Sequence, residues 1–157
     1  MDPAFVSGFG LRSGTTTERH LLLRFMQRTY SELYPNNDYH HLREVIDQYW
    51  SEQTPYWLAA PLTDSEQPIA CLWLGTAVDQ VTGDAYTHIF VLFVDPKYRQ
   101  QGLGTALLQV AEHWANQQGD LQIGLQVFSH AQPALSLYEK LGYKPRALLL
   151  MKAIDTD

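Results

Sequence analysis

The sequence predicts an α/β fold, a mixed sheet flanked by helices. Three observations carry that prediction. An unbroken apolar run, Ile89 to Val94, reads as a buried strand. A glycine turn follows it. Leu103, Leu107, Val110, Ala111 and Trp114 then recur at the spacing of one helix face. Further on, Leu121, Ile123, Leu125 and Val127 alternate with Gln122, Gly124 and Gln126, which is the period of a strand. A strand, a helix and a strand in that order are the unit from which α/β sheets are built.

The other elements follow from punctuation and periodicity. Residues 1–8 read as a disordered or tag-like start. Phe9 to Arg12 is a first strand. Thr15-Thr16-Thr17-Glu18 supplies a capping hydroxyl for a helix whose stripe is Leu22, Phe25, Met26, Thr29, Tyr30 and Leu33. Pro35-Asn36-Asn37-Asp38 ends it. Leu42, Val45, Ile46 and Tyr49 make a second, short helix. Tyr56 to Ala60, Ile69 to Ala77 and Tyr86 to Val94 are strands, the last two joined at Val81-Thr82-Gly83-Asp84. Gly119 stops the long helix. Pro133 to Leu141 is a further helix with proline in its first turn, and Arg146 to Ile154 is a closing strand.

A chain of 157 residues is long enough for one domain with one sizeable core. Its net charge of −6 argues against a nucleic-acid partner and favours a cationic acceptor such as an amine. Cys71 is the only cysteine, which excludes an internal disulfide and a cysteine-cluster zinc site. His40-His41 lacks the spacing of a shared ligand face, so no metal is expected. Neither a transmembrane run nor an export signal stands out, and the expectation is a cytoplasmic protein, monomer or homodimer, with no membrane partner.

The glycine turn carries the chemistry. Arg99-Gln100-Gln101-Gly102-Leu103-Gly104 lies between strand and helix. Glycine lets backbone approach a ligand closely, and a helix N-terminus offers unpaired amides with a positive dipole end. Together they make an anion cradle. No lysine follows Gly104, and Leu107 stands where a dinucleotide fingerprint needs its third glycine. The motif R-x-x-G-x-G resembles instead the phosphate loop of the GNAT superfamily, the acyl-CoA-dependent N-acyltransferases. Val94-Asp95-Pro96-Lys97-Tyr98 resembles that family's lead-in to the loop. Ala134-Leu135-Ser136-Leu137-Tyr138-Glu139-Lys140-Leu141-Gly142-Tyr143 is similar to its A-x-x-L-Y-E-K-L-G-F segment. The similar region runs from about Ile69 to Ile154 and forms the acyl-CoA-binding core, with residues 9–60 as the acceptor side.

That resemblance implies a GNAT fold, whose twisted sheet splays open between its fourth and fifth strands, here Tyr86–Val94 and Leu121–Val127. It implies acetyl-CoA as acyl donor, transferred directly to a primary amine of a small molecule or a protein. The amides of Gln101, Gly102, Leu103, Gly104 and Thr105 would face the pyrophosphate, with Arg99 and Gln100 in the same cofactor-binding set. Leu92, Phe93 and Val94 would pair with the pantetheine arm like an added strand, and Ala134 and Tyr138 would complete the binding set. Tyr138 matches the family tyrosine that often protonates the leaving thiolate, a role suited to a phenol with pKa ~10. The family often places a carboxylate base on the fourth strand. That strand has none here, and His88, with an ordinary pKa of ~6.5, is its one group suited to a base at neutral pH. Tyr30, Glu32 and Tyr34 fall where the family shapes its acceptor pocket. Ala131 stands where the family often has an asparagine for the pantetheine. A non-catalytic acyl-CoA sensor on the same fold is the alternative, and a nucleotide-binding switch is a more distant one.

Overall fold

The computed structural model describes residues 2–155 of the chain, in two compact units that meet in sequence at Gln126 and Val127. The first unit carries a six-stranded sheet in sequential order: β1 (Asp2–Val6), β2 (Phe9–Ser13), β3 (Tyr56–Pro61), β4 (Ala70–Val78), β5 (Ala85–Val94) and β6 (Ile123–Leu125). All neighbours are antiparallel except β5 and β6, which run parallel, so the sheet is mixed. Three helices accompany it: α1 (Arg19–Leu33), α2 (Leu42–Tyr49) and α3 (Leu103–Gln118). The second unit holds α4 (Gln132–Lys140).

β1 corrects the expectation of a disordered start. Gly8, at φ +87°, turns the chain so that Val6 faces Phe9 and Asp2 faces Leu11. A positive φ at this position suits glycine, which carries no Cβ to clash there. The expected strands at Phe9, Tyr56, Ile69 and Tyr86 become β2 to β5, each within a residue or two of its predicted start. The strand expected over 121–127 is shorter, Ile123–Leu125. The closing strand expected over 146–154 does not form, and Leu148, Leu149, Leu150, Met151 and Ile154 are exposed. Its apolar run reads as a strand, but a strand exists only through ladder bonds to a neighbour, and none of the described strands pairs with it.

The entry to α1 is fixed by a fork of charge-assisted bonds. Arg12 on β2 donates to both carboxylate oxygens of Glu18, at 2.7 and 2.6 Å. The bond from Arg12, with the Thr15 amide, pulls the Glu18 carboxyl down to about 2 despite partial burial. Thr15 and Glu18 also close a capping box over the 3-10 turn Thr16–Glu18 that leads into the helix.

The two sheet faces are covered differently. Cys71, Trp73, Val91 and Phe93 pack with Leu22, Phe25 and Met26 of α1 and with Leu42 and Ile46 of α2. Alternate residues point the other way, where α3 buries Leu103, Leu107, Leu108 and Ala111 against the sheet. Thr87, fully buried on that side, donates its hydroxyl to Asp120 at 2.7 Å, just past the Gly119 stop at φ +81°.

Register changes once between β4 and β5. Trp73 faces Val91, but Leu74 faces Ile89, so Phe90 is an extra residue in a β-bulge. The bulge turns the Phe90 ring to the α1 and α2 side, over Gly75. A Cβ built on Gly75 would lie 2.2 Å from Phe90 Cε2. Glycine is therefore required at position 75 by a close approach and not by its backbone angles. Gly75→Ala should push the Phe90 ring out and cost about 1–3 kcal/mol, in the range of overpacked cores. A fall in the urea midpoint at unchanged m-value measures it, and an unchanged midpoint would mean that the ring has room.

Candidate active site

The site grows from the end of β5. β6 pairs with Thr87, His88 and Ile89 only. From Phe90 to Val94, a length of about 13 Å at strand rise, the outer edge of β5 has no neighbour among the described strands. Alternate N–H and C=O groups of that stretch point away from β4. This is the splay expected between Tyr86–Val94 and Leu121–Val127, and its fork coincides with the bulge at Phe90.

Beyond Val94 the chain turns through a 3-10 turn, Pro96–Tyr98, capped by Asp95, which accepts from the Lys97 amide at 2.9 Å. Gln100 then adopts φ +62°, a left-handed conformation that a side chain tolerates poorly. Gly102, at φ +87°, is the N-cap of α3. The first bond into the helix runs from the Ala106 amide to the Gly102 carbonyl at 3.0 Å. The amides of Leu103, Gly104 and Thr105 precede it, at the positive end of the helix dipole. Gln101 and Gly102 are exposed, and Gly104 and Thr105 are half-buried. Leu103 buries its side chain and offers only its backbone.

Arg99 is held by three contacts within the protein. Its Nε donates to the Val94 carbonyl at 2.8 Å, its Nη2 reaches Glu32 at 2.7 Å, and its guanidinium lies 5.7 Å from the centre of the Phe93 ring. One turn earlier on α1, Arg28 pairs with Asp95 at 3.1 Å and sits 4.8 Å from the same ring. Glu32 and Arg99 were expected to serve different ligands, and the fold joins them. Sequence reading missed Arg28 and Asp95, because ion pairs between residues so distant in sequence leave no local signal.

Tyr30 stacks on Tyr39 at 5.9 Å, and the Tyr39 hydroxyl donates to the carbonyls of Tyr30 and Tyr34. These contacts order the end of α1, and the Tyr34 side chain remains 40% exposed.

His88 faces Gly75 across the ladder, so its ring is on the α1 and α2 side with Phe90. The rings of His88 and Phe90 meet edge to face at 5.2 Å, and Tyr86 stands 6.5 Å on the other side of His88. Burial lowers the His88 pKa below its ordinary 6.5, so the neutral imidazole, the proton-accepting form, prevails at pH 7.

In the second unit, Pro133 opens α4 and Gly142, at φ +94°, follows its end. Ala134 and Tyr138 stand one turn apart and are half-buried. The Tyr138 ring lies 5.7 Å from that of Tyr143, and the Tyr143 amide donates to the Tyr138 carbonyl at 2.9 Å. Burial raises the Tyr138 pKa above that of a free phenol, so the hydroxyl keeps its proton at neutral pH.

Comparison with known proteins gives one answer. The model of the acetyltransferase (GNAT) family matches residues 22–143. The uncharacterized N-acetyltransferase YdgE of Bacillus subtilis is 25% identical over 144 residues, which cover 92% of this chain and 82% of that protein. An aminoglycoside N(6')-acetyltransferase type 1 of Acinetobacter genomosp. 13 is 27% identical over 71% of this chain and 77% of its own length. Among solved structures, a Pyrococcus furiosus protein assigned as an acetyl transferase superposes with a TM-score of 0.78, covering 93% of this chain and 99% of that one at 24% identity.

The burial of His88 has a measurable sign. In an NMR titration its imidazole should titrate below 6.5. Because the folded value is the lower one, the histidine's contribution to stability is present above the unfolded value of 6.5 and is lost as pH falls from there through the lower folded value. A titration above 6.5 would reveal a carboxylate partner and reject this account.

Proposed function

Because the chain belongs to the GNAT family of acyl-CoA-dependent acetyltransferases, we propose that it transfers an acetyl group from acetyl-CoA directly to a primary amine. The observation that carries the reading is the continuity of two features in one unit. The open edge of β5 runs from the fork at Phe90 to Val94, and the turn after it leads to the glycine-opened N-terminus of α3. The first suits an amide-rich arm, and the second suits a pyrophosphate.

In this reading the amides from Gln101 to Thr105 bind the pyrophosphate, and the backbone of Leu92, Phe93 and Val94 pairs with the pantetheine. Arg99 acts through its bonds to Val94 and Glu32, holding the strained Gln100 turn in shape. Acetyl-CoA supplies the thioester. His88, neutral at pH 7, takes a proton from the acceptor ammonium, directly or through one water, and leaves the neutral amine that attacks. The amine nitrogen bonds to the acetyl carbon as the carbon–sulfur bond breaks, and the second proton that this nitrogen sheds, carried by solvent, replaces the one the Tyr138 phenol gives up. The likeness of Ala134 to Tyr143 to the family segment assigns Tyr138 the proton that the departing thiolate receives. Relatives act on acceptors as different as aminoglycosides, so the family alone leaves the amine open.

Calorimetry with acetyl-CoA tests the binding half. Gly104→Glu should abolish binding by steric and charge conflict with the pyrophosphate while the circular dichroism spectrum stays native. Unchanged affinity would reject the cradle. Thiol release with an amine panel tests the chemistry. Tyr138→Phe should keep acetyl-CoA affinity and lower kcat by about 10²-fold. His88→Gln should remove the acidic limb of the kcat/KM profile. If the wild-type chain binds acetyl-CoA and releases no thiol with any amine, the sensor reading replaces the enzyme.

A further inference from the structure

The bulge at Phe90 builds a wall of aromatic rings on the α1 and α2 side of the fork. Tyr86, His88 and Phe90 follow one another along β5, all half-buried. Tyr49, at the end of α2, meets the Phe90 ring at 5.3 Å and is 45% exposed. Trp73 lies 4.6 Å behind Phe90, and Trp50 extends the row at 6.3 Å from Trp73. The indole Nε1 of Trp73, fully buried, makes no hydrogen bond, so the wall is held by ring contacts.

Two of the three carboxylates on the helices of this side are paired. The carboxylates of α1 and α2 are Glu32, Glu44 and Asp47. Glu32 is paired with Arg99, and Asp47 with Arg19, whose guanidinium lies 5.2 Å from the centre of the Trp50 ring. Glu44 is exposed and about 140° around the helix from Tyr49. His88 is neutral at pH 7. A polycation gains most where several unpaired carboxylates converge, and none of these three offers that beside the rings. Such rings reward a flat apolar body by stacking and a single ammonium by cation–π attraction.

We infer that the acceptor is an arylalkylamine, a monoamine whose aromatic ring lies across Phe90 and Tyr49, rather than a polycation. The 5.2 Å between the Phe90 and His88 rings is within the reach of a short alkyl tether, which sets the amine beside its base. This deepens the acetyltransferase reading and rests on it.

The test uses the full chain, acetyl-CoA and a panel of phenethylamine, n-butylamine, spermidine and kanamycin, followed by thiol release. Phenethylamine should exceed n-butylamine in kcat/KM by about ten-fold, the worth of a good ring contact. Spermidine and kanamycin should fall below both. Tyr49→Ala, at a half-exposed helix end, should bring the phenethylamine to n-butylamine ratio down toward one through KM, and Phe90→Leu should do the same while keeping an apolar side chain over Gly75. A preference for spermidine or kanamycin, a ratio indifferent to both substitutions, or acetyl-CoA binding with no acetylation of the panel would each overturn the acceptor class alone. Failure to bind acetyl-CoA would overturn the acetyltransferase reading together with it.

Discussion

One extra residue in β5 organises the rest of this molecule. The bulge at Phe90 breaks the alternation of side chains along the strand. Before it, Ile89 and Thr87 serve the α3 side. After it, Val91 and Phe93 serve the α1 and α2 side. Without the extra residue, His88 and Phe90 would share a face with Leu92 and Val94. Pairing with β6 stops at Ile89, the residue before the bulge, so the re-aimed rings and the open edge begin at the same place. The arrangement depends on position 75, where the ring of Phe90 occupies the space of a side chain.

A second dependence runs through Phe93. Phe25 packs on its ring at 5.3 Å, while Arg28 and Arg99 lie near it from α1 and from the turn. Phe25, Arg28 and Glu32 recur at helical spacing, so one stripe of α1 grips the whole passage from strand to glycine turn. The Arg99–Glu32 pair is well exposed and is worth no more than about 1 kcal/mol to stability. Its importance is geometric. It fixes the residue next to Gln100, whose backbone would relax if the turn were free.

The glycine turn and α3 were legible in the sequence because their signals are local. Gly102, the stripe from Leu103 to Trp114 and the stop at Gly119 all act within a few residues. The bulge was not legible, since it is a relation between two strands and Gly75 alone does not announce a ring above it. The ion pairs of Glu32 and Arg28 were hidden for the same reason. Two errors came from composition. Pro3 and the brevity of the apolar run Ala4-Phe5-Val6 masked β1, although Ser7-Gly8 is a hairpin turn. The run from Ala147 to Ile154 is largely apolar, but none of the described strands pairs with it. The roles proposed for Tyr138 and His88 rest on resemblance and on elimination, and burial adds the direction in which each pKa moves.

Cys71 was noted only for being solitary. It lies in the middle of β4, fully buried between Leu58 and Phe93, and burial drives its thiol far above the usual range. A thiol that does not ionise neither attacks a thioester nor reacts with oxidants or disulfide reagents. The chain therefore offers no sulfur nucleophile of its own, and a self-acylated cysteine has no place in its chemistry. It also follows that the folded protein is silent toward a chromogenic disulfide. Any colour that develops in such a mixture is coenzyme thiol set free.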